Sequence, residues 1–233
     1  MILFLLRKLI NKNLPWYLLF IIVFFVSFAK LDLMIAKLFY KEGAFFLINH
    51  PFCVFIHLYF PKFIAFTAIA ILVIWLIGRV VNKDLLGIDF KVCLFTSSVV
   101  LLGPVLIVNS FFKEFWGRPR PIQIVEFGGP MNFAPPWYIS GQCPHNCSFT
   151  SGEASGAFWF FALALLTPPK WRALAVDLAF FVGIIVSFVR LAQGGHFFSD
   201  VFFSGLIMIL LSLGFYRLIF GEEKFGELLT YSN

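Results

Sequence analysis

Charge is what this sequence lacks most. Only 13% of its 233 residues are Asp, Glu, Lys or Arg, while 61% are hydrophobic. A soluble domain carries about a quarter charged residues and nearer half apolar ones. So few polar side chains cannot cover a water-facing surface, which excludes a soluble globular protein and leaves an integral membrane protein. Internal repeats and low-complexity tracts are also missing, so the chain, 1–233, reads as one domain. The net charge of +6 does not point to nucleic acid, because the basic residues are scattered between apolar stretches. Membrane topology explains that scatter better.

What is present is grease in bilayer-sized lengths, including 34 Phe. The pattern predicts an all-α bundle of about six transmembrane helices. The first runs from about Leu14 to Ala29 and continues helically through "KLDLMIAKLFY". The others run from about Phe63 to Val81, Val92 to Phe112, Gly152 to Leu166, Ala173 to Val189 and Val201 to Phe220. Between the first two, Lys41 to Lys62 reads as a long connection holding His50 and His57, in keeping with an interfacial element. The first span reads as an uncleaved anchor.

Basic residues set the orientation. Arg7, Lys8 and Lys12, then Arg79, Lys83 and Lys91, then Lys170 and Arg172, then Arg217 and Lys224 fall on one side, expected to be cytoplasmic. Lys30, Lys37 and Lys41 on the other side weaken the bias. Asp177, inside the fifth span, is assigned no role. Of the four cysteines, Cys53 and Cys93 sit among apolar residues and should simply pack. Cys143 and Cys147 share a Gly- and Pro-rich external loop, "CPHNC", where a short disulfide and two free thiols both fit. A metal held by Cys143, His145 and Cys147 would lack a fourth ligand at a usual spacing, so no metal is expected.

Three polar islands interrupt the grease: "KEFWGRPRP" at Lys113–Pro121, "SFTSGEAS" at Ser148–Ser155 and "RLAQGGHFFSD" at Arg190–Asp200. The topology puts all of them on the outer face, though parity alone would do that about a quarter of the time. Their residue types carry more weight, because ionisable groups near lipid are expensive and tend to be functional. Lys113, Arg120 and Arg190 supply fixed positive charge suited to a phosphate, which Arg grips bidentately. Ser151 and Gly152 open an apolar helix, whose free N–H groups and dipole would face the same anion. His196 and Asp200 are spaced to stack on one helical face, where Asp200 would fix the tautomer of His196. A neutral, oriented imidazole beside a clamped phosphate is a nucleophile for in-line attack on phosphorus. Gly194 and Gly195 allow the turn that brings His196 back to Arg190. Taken singly, each feature has a plainer explanation: a snorkelling lysine, a helix start, a structural His–Asp pair. One phosphate site accounts for all of them together.

These residues resemble the motifs of the type-2 phosphatidic acid phosphatase superfamily. Lys113, Arg120 and Pro121 match its Lys-x6-Arg-Pro motif, and Arg190, His196 and Asp200 match Arg-x5-His-x3-Asp, with Val189 where a serine often stands. The middle motif, usually Pro-Ser-Gly-His, reads Thr150, Ser151, Gly152 and Glu153 here. Arg118 competes with Arg120, since "RPRP" repeats the dipeptide, and only the family spacing selects Arg120. The resemblance implies a phosphomonoesterase without metal or cofactor, in which His196 forms a phosphohistidine and Asp200 holds His196. Glu153, in place of the family's acid histidine, would protonate the leaving oxygen, with His145 as a second candidate acid. Glu153 could instead orient an arginine. "SFTSGEAS", "WGRPRP" and "QGGHFFSDV" look most like bacterial lipid A phosphatases, the 4'-phosphatase subgroup in particular. That implies a lipid substrate at the outer leaflet of a bacterial inner membrane. A lipid A 1-phosphatase, or one acting on phosphatidylglycerophosphate, phosphatidic acid or undecaprenyl diphosphate, remains open. So do an anion transporter and a vanadate-using peroxidase.

Overall fold

A computed structural model describes residues 13–230 of the chain. Arg7, Lys8 and Lys12, part of the orientation argument, lie outside the described residues. The architecture is all-α: α1 (Leu14–Ser27), α2 (Leu31–Leu38), α3 (Pro51–Val80), α4 (Phe90–Phe115), α5 (Gly152–Leu165), α6 (Pro169–Ala192), α7 (Phe198–Phe220) and α8 (Glu222–Thr230). A two-residue hairpin, β1 (Tyr40–Lys41) and β2 (Ala44–Phe45), pairs Tyr40 with Phe45.

Helices α3, α4, α6 and α7 are long and apolar enough to cross a bilayer, and α1 with α2 makes a fifth if that bent pair is one span. The remaining expected span, α5, has 14 residues, about 21 Å at 1.5 Å per residue. That is short of a hydrocarbon core of about 30 Å.

Two boundaries differ from expectation. The first span does not continue straight: α1 and α2 meet at 73°. The bend lays α2 across the end of the bundle, burying Asp32 and Ala36 one turn apart and leaving Lys30 and Lys37 exposed. The second span starts at Pro51, well before Phe63, because Pro51 sits where a missing N–H costs nothing. Much of the expected connection is therefore the first turns of α3, and His57 is a helical residue. Further on, Asp89 caps α4 by accepting from the Val92 N–H at 2.8 Å. That helix widens to π geometry over Leu101–Phe112, around the missing donor of Pro104.

The core is built around α5, which is buried over most of its length. A helix apolar all round must be enclosed on all sides. Its Phe158 ring fits between Gly183 of α6 and Gly205 of α7. A Cβ added at either glycine would lie 2.6 Å or 2.9 Å from ring carbons, so small residues set the helix spacing. Trp159, fully buried, donates its indole N–H to the Thr96 carbonyl at 3.1 Å. A second cluster of Ala36, Phe45, Ile124, Phe127 and Phe197 closes one end of the bundle. All three polar islands converge at that end.

Candidate active site

An arginine locks this end together before any ligand is considered. Arg118, fully buried, donates from Nη2 to Asp32 at 2.6 Å, from Nη1 to Ser199 at 2.8 Å and to Asp200, and from Nε to the Ala134 carbonyl at 2.8 Å. Its guanidinium stacks 4.4 Å from the Phe197 ring centroid. Asp32 also accepts from the Ser199 backbone N–H and hydroxyl, at 2.8 and 2.5 Å. The two arginines of "RPRP" thus part company. Arg118 is consumed in a structural ion network, and Arg120 is left for the open side.

Asp200, at the third position of α7, accepts from the Phe197 backbone N–H at 2.8 Å and from the Ser148 hydroxyl at 2.5 Å. Its carboxylate stands 3.7 Å from His196 Nδ1, too far for a hydrogen bond. The expected direct His196–Asp200 bond is absent because His196 precedes the helix, which begins at Phe198. Helical i,i+4 stacking therefore does not apply to the pair. His196 Nδ1 instead donates to the Ser148 carbonyl at 2.7 Å, so Ser148 links carboxylate to imidazole. The tautomer is still the expected one: with Nδ1 protonated, Nε2 carries a free lone pair. Burial holds the imidazole below its ordinary pKa of 6.5. The Asp200 and Glu153 carboxylates oppose this, and the charge of Arg120 adds to it.

Around His196 Nε2 the polar atoms are conspicuously unsatisfied. His196 Nε2, Glu153 Oε2 and Arg190 Nε are all buried without a hydrogen-bond partner. Glu153 Oε2 lies 3.6 Å from His196 Nε2, and Glu153 Oε1 lies 3.2 Å from Arg190 Nε. Buried orphans of this kind are costly, so a cluster of them marks a place built for a ligand. Arg190 is anchored by Nη1 to Gln193 at 2.7 Å and packs against Gly195, where a Cβ would fall 2.4 Å from Nη2. Gly194 turns the chain at φ +66 directly over the Phe45 ring. Both glycines are therefore required, one for conformation and one for close approach.

Lys113, at the end of α4, is buried and donates to Asn146 Oδ1 at 3.2 Å. Arg120 donates to the same side-chain oxygen and to the Asn146 carbonyl, both at 2.9 Å from Nη2. Asn146 belongs to the "CPHNC" loop, which a Cys143–Cys147 disulfide closes with its Cα atoms 5.7 Å apart. That bond removes both thiolates from the metal alternative. His145 turns outward, with its side chain 82% exposed, and pairs with Glu114 at 2.9 Å, so it does not join Glu153. Burial and the neighbouring positive charge of Arg190 hold Arg120 below its ordinary pKa. Lys113, Arg120 and Arg190 act electrostatically on one another. Such crowding of cations favours a bound anion.

Helix α5 opens at this cluster. Ser151 is its N-cap, its hydroxyl accepting from the Ala154 N–H at 3.3 Å, so the side chain expected to hold phosphate caps the helix instead. Gly152 has Asn109 and Lys113 against it: a Cβ would lie 2.6 Å from Asn109 Oδ1 and 3.2 Å from Lys113 Nζ. The structure thus gathers Lys113, Arg120, Gly152, Glu153, Arg190 and His196, and sets Asp200 one layer behind. Sequence reasoning missed Asn109, Asn146 and the Ser148 carbonyl, as well as His57, whose Nδ1 lies 2.9 Å from Glu153 Oε1. The first three act partly through backbone or helix irregularity, which no spacing rule registers. His57 carried a signal, as one of only four histidines.

The sequence profile of the PAP2 superfamily matches residues 91–224. A lipid A 4'-phosphatase of Francisella tularensis subsp. novicida is 37% identical over 207 residues, covering 87% of this chain and 92% of that protein. A lipid A 4'-phosphatase of Rhizobium leguminosarum is 50% identical over 103 residues, 44% of each chain. One from Rhizobium etli is 45% identical over 102 residues, 44% of this chain and 40% of that one. No solved structure matches.

Proposed function

Because this chain belongs to the PAP2 superfamily, we propose that it is a lipid A 4'-phosphatase, a multi-pass membrane enzyme hydrolysing a phosphoric monoester. One observation carries the reading: an unpartnered, buried imidazole nitrogen faces the same space as an arginine and a helix N-terminus. The relatives' names favour the 4' position over the alternatives.

The lipid phosphate takes the place between these groups. Arg190, Arg120 and Lys113 neutralise its charge and the α5 N-terminus adds N–H donors. Donors fixed in advance stabilise charge developing on the equatorial oxygens at no further reorganisation cost. His196 Nε2 attacks phosphorus in line, and the bond to the sugar oxygen breaks with its electron pair. Positive charge then grows on the imidazole, and Asp200, 3.7 Å from Nδ1, stabilises it. Glu153, whose Oε2 lies 3.6 Å from His196 Nε2, is placed to hand a proton to the departing oxygen. Water then cleaves the phosphohistidine. On this reading the chain lies in a bacterial inner membrane with the site on its periplasmic face, and the apolar helices accept the acyl chains.

The test is purified protein offered lipid A, phosphatidic acid and phosphatidylglycerophosphate, with the remaining phosphates of each product mapped. Loss of the 4'-phosphate, abolished in His196→Ala and retained in a chelator, is the expected outcome. A transporter would release no phosphate from any lipid.

A further inference from the structure

His57 is an ionisable side chain at the site to which the mechanism above gives no role. It projects from α3, outside residues 91–224 that match the PAP2 profile. Its Nδ1 lies 2.9 Å from Glu153 Oε1, 96 residues away in sequence. The other oxygen of Glu153 has no hydrogen-bond partner and faces His196 Nε2 at 3.6 Å. One carboxylate therefore touches His57 with one oxygen and looks into the phosphate site with the other. The His57 side chain is 44% exposed, while Glu153 is 10% exposed. His57 thus connects an almost enclosed carboxyl group to the outside.

That arrangement addresses a weakness of Glu153 as an acid. A carboxyl group beside Arg190 and under the influence of nearby cations is favoured as the anion. It would then have no proton to give when the bond to phosphorus breaks. An imidazolium bonded to its far oxygen can supply one at that moment.

We propose that His57 is a proton-relay residue acting through Glu153 in the phosphatase reaction. In the first step the His57 imidazolium gives its Nδ1 proton to the Glu153 carboxylate, which passes it on to the departing sugar oxygen. The electron pair of the broken phosphorus–oxygen bond stays on that oxygen, and a His196–phosphorus bond forms. In the second step water attacks phosphorus and its proton passes through Glu153 back to His57. The His196–phosphorus bond breaks with its electrons returning to Nε2. One proton leaves His57 and one returns, so the cycle closes with water consumed and phosphate released.

Arg190 and His196 are the ionisable groups nearest this pair, and Lys113 and Arg120 act on Glu153 electrostatically. Of these groups His57 is the most exposed, its side chain at 44%. Pro61, one turn further along α3, has no N–H for the His57 carbonyl, which loosens the ladder beside the relay.

The inference rests on the phosphatase reading, and its test separates the two. His57→Ala and His57→Asn are assayed against lipid A and against aryl phosphates of graded leaving-group acidity. A nitrophenolate leaves without needing a proton, so a lost relay should spare it. Turnover of lipid A is expected to fall by about a hundredfold, the lower end for a lost general acid, and nitrophenyl phosphate turnover by less than about threefold. His57→Asn keeps a donor toward Glu153 but cannot ferry a proton, and should be as slow on lipid A as His57→Ala. Near-normal lipid A turnover in His57→Asn would show that His57 only positions Glu153, overturning the relay. Equal losses on both substrate classes, or no loss on either, would overturn it too. A wild-type protein inactive on every substrate would instead sink the phosphatase reading.

Discussion

His196 and Asp200 do not touch. The Asp200 carboxylate is 3.7 Å from His196 Nδ1, and Ser148 stands between them, its hydroxyl on Asp200 at 2.5 Å and its carbonyl on His196 at 2.7 Å. Asp200 therefore works by fixing a loop that fixes the ring, and by its charge.

This gives an order to two variants. Ser148→Ala keeps the carbonyl that orients His196 and loses one hydrogen bond to a charged partner, a change of about 1.5–3 kcal/mol. Asp200→Ala leaves Arg118 with Asp32 as its one buried counter-charge in this network and strips the acceptor from the Phe197 N–H and the Ser148 hydroxyl, and should cost about 3–5 kcal/mol. Chemical denaturation should show the second well above the first. Phosphatase turnover in Ser148→Ala should stay within about tenfold of wild type, about 1.4 kcal/mol on the barrier, because the carbonyl that orients His196 is untouched. A Ser148→Ala protein as unstable as Asp200→Ala would contradict the network.

The two arginines of "RPRP" should fail differently. Arg118→Ala leaves Asp32 and Asp200 buried without their cation and should lower stability by about 3–5 kcal/mol. Arg120→Ala removes a partly exposed side chain bonded to Asn146. Its melting temperature should stay close to wild type while kcat/KM falls about 10²–10³-fold, as when one charge-stabilising donor is lost. Matching losses of stability in both would refute the division of labour.

Gly152→Ala tests how tightly the clamp is fitted. The new Cβ meets Asn109 Oδ1 at 2.6 Å and Lys113 Nζ at 3.2 Å. Both are ends of side chains that can swing aside, so the fold survives while Lys113 is displaced. The expected result is a near-normal melting temperature with kcat/KM reduced by about tenfold or more, because small misplacements are costly in catalysis. Gly194→Ala should instead destabilise, since φ is +66 there and Phe45 fills the space.

Acid should inactivate through His196. Burial places its folded pKa below 6.5, so at pH 7 it is neutral and able to attack. The acid limb of kcat/KM attributable to His196 is expected below pH 6.5. Between 6.5 and the lowered native value the unfolded chain takes a proton that the folded one does not. Its share of stability is present above 6.5 and is lost as pH falls through that window. His196→Gln should flatten the loss. A limb above 6.5 that moves with His196 variants would reverse the sign.

The amino-acid order alone determined the membrane class, the all-α bundle and most of its spans, because apolar length and scattered basic residues are local properties. It also singled out Lys113, Arg190, His196 and the "RPRP" arginines as candidates, since charged groups among apolar ones stand out. Family spacing favoured Arg120 over Arg118, but the tertiary structure supplied the physical reason, because Asp32 and Asp200 reach Arg118 alone of the "RPRP" pair. It alone placed Ser148 between His196 and Asp200, and His57 against Glu153. Those relations depend on where a helix begins and on contacts spanning 48 and 96 residues. No spacing rule within one segment can carry such information, since packing between distant elements creates it.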